Sequence, residues 1–331
     1  MQSREESGGI VVAIVGPTGA GKSALALDLA EHFGGEIVGC DALQIYRELD
    51  IGTAKLAPEE RRGIPHHLMD IVAPNEEFSA AAYVSHAVPV IEDIAARDRL
   101  PILVGGTGLY LRALRRGLFD GPGRSPAIRE RLAEIAERRG THALHRILRR
   151  WDPALAKRVH ENDRIRLVRG IEVYLASGRP MSELMESRRR PLSGFQDILV
   201  GLRPNREVLK TRIEARVAAM FSRGLPDEVL RISDRYGTDI PAFKAIGYRE
   251  AALLLRGKVD VTRARELVTR ATVAYAKRQL TWFRREPGIR WFEGCGDDET
   301  LASRIRDTLR RTIPESEDRH NSEQLHAETA S

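Results

Sequence analysis

The stretch Gly16-Pro17-Thr18-Gly19-Ala20-Gly21-Lys22-Ser23 has the G-x-x-x-x-G-K-[ST] spacing of a phosphate loop. It lies between an apolar run, Ile10–Val15, and an amphipathic run, Ala24–Phe33. A buried strand therefore delivers the loop and a helix starts at its end. The glycines let successive backbone N–H groups turn inward around an anion, and the helix N-terminus adds partial positive charge. Lys22 supplies a full charge, and the Ser23 hydroxyl is a ligand type for Mg²⁺. A glycine-rich turn that binds nothing would not explain a lysine beside Gly21, where a charge is costly to bury. The loop announces a phosphorylated ligand without saying which one.

Other residues could add chemistry. Asp41 directly follows a strand-like run, where a carboxylate suits a Mg²⁺ partner or a general base. It equally suits an N-cap for the segment Ala42–Arg47. Gly105-Gly106-Thr107-Gly108 follows the run Pro101–Val104. Its glycines permit close backbone approach to a ligand, and the Thr107 hydroxyl could donate to a phosphate oxygen or simply cap a helix. His66 and His67 are adjacent, so they face apart in a strand and form no metal pair. Arg166 and Arg169 lie one turn apart on one helix face, which suits phosphate contact or a solvated surface. No aspartate ends a hydrophobic strand in Walker-B fashion. That weighs against a motor-type ATPase and for a small phosphate-binding transferase.

The chain has 331 residues, 42% of them hydrophobic, and only Cys40 and Cys295 as cysteines. This composition is that of a soluble globular protein without disulfide scaffold or zinc site, and a reducing cytoplasm is expected. No apolar run is long enough to span a bilayer, and the polar Met1–Gly9 segment is no signal peptide. The formal net charge is +6 and the pI near 9.5, which favours a polyanionic partner. Between Arg263 and Arg290 eight basic residues face only Glu266 and Glu286, with Tyr275, Trp282 and Phe283 interleaved. Such a stretch can hold phosphates and stack on bases, or form a solvated helix face over an aromatic stripe.

The elements that must position these residues follow from the pattern. Strand-like runs at Ile10–Val15, Glu36–Cys40, Ile102–Val104, Asp197–Leu202 and Arg290–Phe292 alternate with helical ones. An α/β fold is expected: a P-loop NTPase-like parallel sheet flanked by helices, with ligands at the edge after the strands. Between residues 118 and 194 the pattern turns helical throughout, with helices over Pro126–Arg139, His142–Arg150, Pro153–Val159 and Arg164–Ala176. An all-helical insertion is thus expected inside a core formed by 10–117 and 195–313. A further helical region runs from Arg206 to Arg285. Residues 314–331 lack apolar periodicity and are expected to be disordered.

Several segments together resemble one family. They are GPTGAGKS at Gly16–Ser23, DALQIYRELDIGTAK at Asp41–Lys55, GGTGLY at Gly105–Tyr110, NDRIRLVRGIEV at Asn162–Val173, AIGYRE at Ala245–Glu250 and KRQLTWFR at Lys277–Arg284. In this order, from about Val11 to Arg285, the chain is similar to the bacterial tRNA dimethylallyltransferases, or tRNA isopentenyltransferases. Such enzymes move a dimethylallyl group from dimethylallyl diphosphate to N6 of the adenosine 3′-adjacent to the anticodon, in tRNAs reading codons that begin with U.

The resemblance implies a role for each motif. Gly16, Pro17, Thr18, Gly19, Ala20, Gly21, Lys22 and Ser23 would hold the diphosphate, with Ser23 on Mg²⁺. Asp41 would be the general base, Thr107 would contact the bridging oxygen, and Arg216 would help Lys22 neutralise the diphosphate. Asp41, Ala42, Leu43 and Gln44 would meet the flipped adenine and its neighbours. Three further segments would contact tRNA: Ile165, Arg166, Leu167, Val168 and Arg169; Ala245, Ile246, Gly247, Tyr248, Arg249 and Glu250; and Lys277, Arg278, Gln279, Trp282, Phe283 and Arg284. The helical insertion would clasp the anticodon stem-loop, and a monomer suffices. Ala42 stands where many relatives have serine, and Gly170 where many have alanine. Two cysteines exclude the zinc finger of eukaryotic relatives. The competing readings are a P-loop small-molecule kinase, an isopentenyltransferase acting on free adenine nucleotides, and a non-catalytic RNA-binding NTPase. Affinity of the loop for ATP stays open.

Overall fold

The computed structural model describes residues 9–186 and 190–313. The tail after Ile313, expected to be disordered, lies outside them, as do residues 1–8. The chain divides into two compact units, residues up to 113 with those from 192 onward, and residues 114–191.

The first unit is built on six parallel strands: β1 (Ile10–Val15), β2 (Gly35–Gly39), β3 (His66–His67), β4 (Leu100–Val104), β5 (Gln196–Arg203) and β6 (Ile289–Glu293). Their order is β3-β2-β4-β1-β5-β6. β4 is a continuous run of buried residues, and so is β1 after Ile10, because helices cover both faces of a parallel sheet. β1 is central, with Ile14 in register with Val104 on one side and Val200 on the other. Later strands add on both sides of it, so the crossovers diverge there, and ligands bind at such a point.

Helix Lys22–Phe33 packs Leu25, Leu29 and Phe33 into the core with Val12, Ile14 and Ile102. Helix Glu299–Arg310 closes the same core with Leu301 and Ile305. Arg306 ties the two helices by pairing with Asp28. On the other side, helices Arg206–Ser222 and Val261–Phe283 meet through Leu209, Ile213, Val217, Val268 and Ala276.

The parallel α/β sheet expected from the alternating pattern is the one formed, with strand ends shifted by one or two residues. The two-residue edge strand β3 was not anticipated, because its histidines carry no apolar signal. Both have structural partners: His66 Nδ1 lies 2.8 Å from the Ile64 carbonyl, and His67 Nε2 lies 2.7 Å from Glu36.

The second unit contains helices Pro126–Arg139, Thr141–Trp151, Pro153–Ala156, Arg164–Ser177 and Met181–Glu186. Leu132, Leu144, Leu148, Leu167 and Ile171 form its core. The helix expected over Pro153–Val159 stops after one turn, where the N–H groups of Arg158 and Val159 both return to the Leu155 carbonyl. A Cβ on Gly170 would fall 2.8 Å from Leu148 Cδ1 and 2.7 Å from Leu155 Cδ2. Close packing thus leaves little room for a side chain at Gly170.

Glu172 is fully buried among these helices. Arg129 donates to it at 2.7 and 2.9 Å, Arg169 at 2.8 Å and the Ser125 N–H at 2.8 Å. Burial opposes its charge, but the two guanidinium groups prevail and hold the carboxyl down at about 2. Arg169 also donates to the Pro122 and Gly123 carbonyls. Both terminal nitrogens of Arg169 are thus engaged within the unit. Because the folded carboxyl sits below its ordinary 4.5, its contribution is fully present above pH 4.5 and is lost as the pH falls towards about 2. Glu172→Gln is expected to cost about 2 kcal/mol at neutral pH. Urea unfolding followed by helicity should show that gap narrowing at acid pH.

Candidate active site

At the C-terminal end of β1 the chain enters the phosphate loop, and several peptide groups there have identifiable anchors. The Pro17 carbonyl accepts from Lys22 Nζ at 2.9 Å, the Gly19 carbonyl from Arg212 Nε at 2.9 Å, and the Ala20 carbonyl from the Gly296 N–H at 2.8 Å. The Thr18 N–H donates to Gln279 Oε1 at 2.9 Å. Gly21 precedes the helix with φ +78°, and a Cβ there would lie 2.7 Å from Asp297 and 2.8 Å from the Gly296 nitrogen. Only glycine fits that position. Asp297 in turn holds Arg212 at 2.8 Å.

The loop opens on a cleft of about 830 Å³. Four cationic side chains line it, Lys22, Arg212, Arg216 and Lys244, and a single acid, Asp41. Burial pushes the Lys22 ammonium down to about 8; the Asp41 charge opposes this and Arg216 adds to it. Burial likewise lowers Arg216, with Asp41 opposing. Arg216 donates to the Thr18 hydroxyl at 3.3 Å and to the Thr53 carbonyl at 3.2 Å. Tyr275, also in the wall, is pushed up to about 12 by burial and then by Asp41. Leu43, Met220, Ile246 and Val268 supply an apolar lining.

Asp41 stands just past β2. Its Oδ1 accepts the Leu43 N–H at 2.9 Å, an Asx turn, and no helix forms over Ala42–Arg47. With no helix to cap, the N-cap alternative is not realised, and the turn engages one carboxylate oxygen. The other accepts no hydrogen bond from a described residue. The Thr107 hydroxyl accepts the Ala42 N–H at 2.9 Å, so it fastens the Asp41 segment to the turn after β4. That turn carries no carboxylate, in line with the missing Walker-B acid.

The segment Asp50–Lys55 forms the adjoining wall. Three consecutive N–H groups, of Asp50, Ile51 and Gly52, donate to buried Glu228 at 3.2, 2.8 and 3.2 Å, and Tyr248 Oη donates at 2.6 Å. Buried Lys55 reaches the Tyr46 carbonyl, Asp50 and Asp70. The Thr53 carbonyl so fixed accepts from both Gln44 and Arg216, at 3.2 Å each. Glu228, Thr53 and Arg212 were missed in the sequence. Arg212 had a usable signal, since it lies one helical turn before Arg216 and must share its face.

Several residues expected at an RNA surface have buried side chains: Leu167, Tyr248, Glu250, Gln279 and Phe283. Each has a place inside the fold. Tyr248 holds Glu228, Glu250 accepts the Gly247 N–H at 2.8 Å, and Gln279 bonds backbone groups. Leu167 and Phe283 serve cores. Trp282 is partly covered by Arg112, whose guanidinium lies 4.2 Å from its ring centroid. Lys277, Arg278, Arg284 and Arg249 are exposed on the first unit, and Ile165 and Arg166 on the second, Ile165 at 82%. Arg166 pairs with Asp163 at 3.3 Å. Ala245 and Ile246 line the cleft, as do Leu43 and Gln44, while Val168 packs against the core of the second unit.

This combination of loop, acid and wall can be compared with known proteins. A family model described as IPP transferase matches residues 44–286. The chain belongs to the IPP transferase family. The tRNA dimethylallyltransferase of Koribacter versatilis is 49% identical over 292 residues, covering 88% of this chain and 95% of that protein. The crystal structure of the tRNA isopentenylpyrophosphate transferase of Bacillus halodurans matches with a TM-score of 0.68 at 36% identity, covering 94% of this chain and 99% of that one. A eukaryotic dimethylallyltransferase described as acting on tRNA matches with a TM-score of 0.76 at 30% identity, covering 90% and 77%. Among the described residues no helix is long and apolar enough to cross a membrane.

The lowered Lys22 makes a testable linkage for an IPP transferase. Near pH 8.5 part of the Lys22 population is neutral, and an anion on the loop restores its charge. The Lys22-dependent part of proton uptake on binding inorganic pyrophosphate, taken as the difference between the parent chain and Lys22→Met, is therefore expected to be a fraction of a proton at pH 8.5 and small at pH 7. Calorimetry of both chains in buffers of different ionisation enthalpy reads this difference.

Proposed function

We propose that the cleft seats dimethylallyl diphosphate with its diphosphate on the loop Gly16–Ser23, its dimethylallyl group along the apolar wall, and Asp41 facing the acceptor. The reaction is transfer of the dimethylallyl group to N6 of the adenosine 3′-adjacent to the anticodon of tRNA, with release of diphosphate. The observation that carries this reading is the make-up of one cleft: four cations around a phosphate loop, one carboxylate with an oxygen to spare, and an apolar lining.

Breaking the C–O bond of the donor leaves negative charge on diphosphate. Lys22, Arg216 and the inward N–H groups of the loop meet that charge in a site where they are already oriented, so little reorganisation is needed. Arg212 contributes by holding the Gly19 carbonyl away from the anion. An exocyclic amine is a weak nucleophile because its lone pair is delocalised into the ring. Asp41 takes the N6 proton as the new C–N bond forms. The adenine must leave its stack to reach Asp41, at a cost of a few kcal/mol that is least in a single-stranded loop. Exposed Lys277, Arg278, Arg284 and Arg249 supply compensating phosphate contacts, and the helical unit 114–191 clasps the anticodon stem-loop.

The Ser23 hydroxyl lines the cleft without a partner among the described residues, which fits a metal ligand beside the diphosphate. No group of three His, Cys, Asp or Glu side chains converges among the described residues. Mg²⁺ would thus be held by Ser23 and diphosphate oxygens, in keeping with its habit of binding through few protein ligands. It would add positive charge against the leaving group. The protein acts as a monomer in the cytoplasm.

Asp41→Asn is expected to lower transfer by about 10²- to 10⁴-fold while leaving tRNA affinity nearly intact. Single-turnover transfer of labelled donor beside a tRNA gel-shift titration checks this. Equal loss of both would remove Asp41 from the role of base.

A further inference from the structure

Gln279 lies near the C-terminal end of the long helix Val261–Phe283 and its side chain is buried. Its Oε1 accepts the Thr18 N–H at 2.9 Å, and its Nε2 donates to the Gly106 carbonyl at 3.0 Å. Thr18 belongs to the phosphate loop and Gly106 to the turn after β4. One side-chain amide therefore bridges two ligand-facing segments that are remote in sequence. The orientation of the amide is fixed by its partners, since the Thr18 N–H can only donate and the Gly106 carbonyl can only accept.

The same turn carries Thr107, whose hydroxyl accepts the Ala42 N–H beside Asp41. A continuous path of bonds thus runs from the phosphate loop through Gln279 and Thr107 to the Asp41 segment. The helix that bears Gln279 is anchored one turn further on. There the Trp282 ring packs on Gly108, Arg112 covers that ring, and Arg112 pairs with buried Glu286 at 3.1 Å. The bridge is consequently held at both ends and at its base.

We infer that Gln279 is a positioning residue that sets the phosphate loop at a fixed separation from the turn carrying Thr107 and, through it, from Asp41. The inference rests on the reaction proposed above, in which the donor carbon over the loop must meet an amine at Asp41. Misplacing reacting groups by about 1 Å can cost on the order of 100-fold in rate. This role differs from RNA contact, because both polar atoms of Gln279 are engaged with backbone.

The test uses the full-length protein and two variants of near-equal side-chain length. Gln279→Met removes both hydrogen bonds, whereas Gln279→Glu keeps the acceptor for Thr18, loses the donor to Gly106 and adds charge near the loop. Both variants are expected to lower kcat for transfer about 10- to 100-fold at saturating substrates. Their Kd for tRNA should stay within about twofold, since no phosphate contact is lost. Gln279→Glu should also weaken inorganic pyrophosphate binding by about tenfold through charge repulsion.

Unchanged kcat with weakened tRNA binding would make Gln279 an RNA contact and overturn the inference. Parental pyrophosphate affinity in folded Gln279→Glu also overturns it, and that measurement needs no acceptor. Failure of the unsubstituted chain to modify tRNA is a separate result that strikes the proposed reaction instead.

Discussion

A backbone loop can present its N–H groups to an anion only if its carbonyl groups are held elsewhere. In this chain the holding is explicit. Lys22, Arg212 and the Gly296 N–H take the carbonyls of Pro17, Gly19 and Ala20 in turn. The partners come from three parts of the chain: the loop's own helix, helix Arg206–Ser222 and the segment after β6. Every layer of the first unit therefore contributes to the orientation of a few peptide groups. Helix Glu299–Arg310 packs against the phosphate-loop helix in the common core and so fixes where the strand-end segment falls. The sheet supplies the edge, and the flanking elements supply the groups that hold the loop carbonyls.

The cost of this arrangement is concentrated positive charge. Four cations share a cleft with one acid, and burial moves Lys22 and Arg216 in the direction of losing their protons. Such a site is poorly satisfied by water and well satisfied by a polyanion. Asp41 moderates it, raising both basic groups, and this ties the acid's electrostatics to the donor side of the cleft. The Thr53 carbonyl adds a mechanical link. Gln44 and Arg216 both donate to it, so two side chains lining the cleft share one anchor, set by Glu228.

The parts of this design governed by local rules could be read from the amino-acid string. The phosphate loop, its strand and helix, and the helical character of residues 118–194 follow from spacing and periodicity. Asp41 showed its place at a strand end but not its double duty, since an Asx turn and a spare oxygen occupy one side chain. The long-range anchors were illegible. Nothing in KRQLTWFR says that Gln279 bonds backbone 261 positions away, and nothing in AIGYRE says that Tyr248 reaches Glu228. The motifs carry internal braces that their spacing did not reveal, because a specific pattern can be demanded by packing as firmly as by a ligand. Exposed Lys277, Arg278 and Arg284 alternate with buried Gln279 and Phe283 on the same helix and its end, so one motif presents basic side chains outward while bracing the interior.

The most direct test of the account is where the alkyl group goes. The purified chain would be incubated with Mg²⁺, labelled dimethylallyl diphosphate and unmodified tRNA carrying three adenosines on the 3′ side of the anticodon, with ATP omitted. Nuclease mapping should find the label in the adenosine 3′-adjacent to the anticodon and nowhere else. Label on added AMP or ADP but not on tRNA would contradict the account, as would phosphate moving from ATP to a small acceptor with no alkyl transfer.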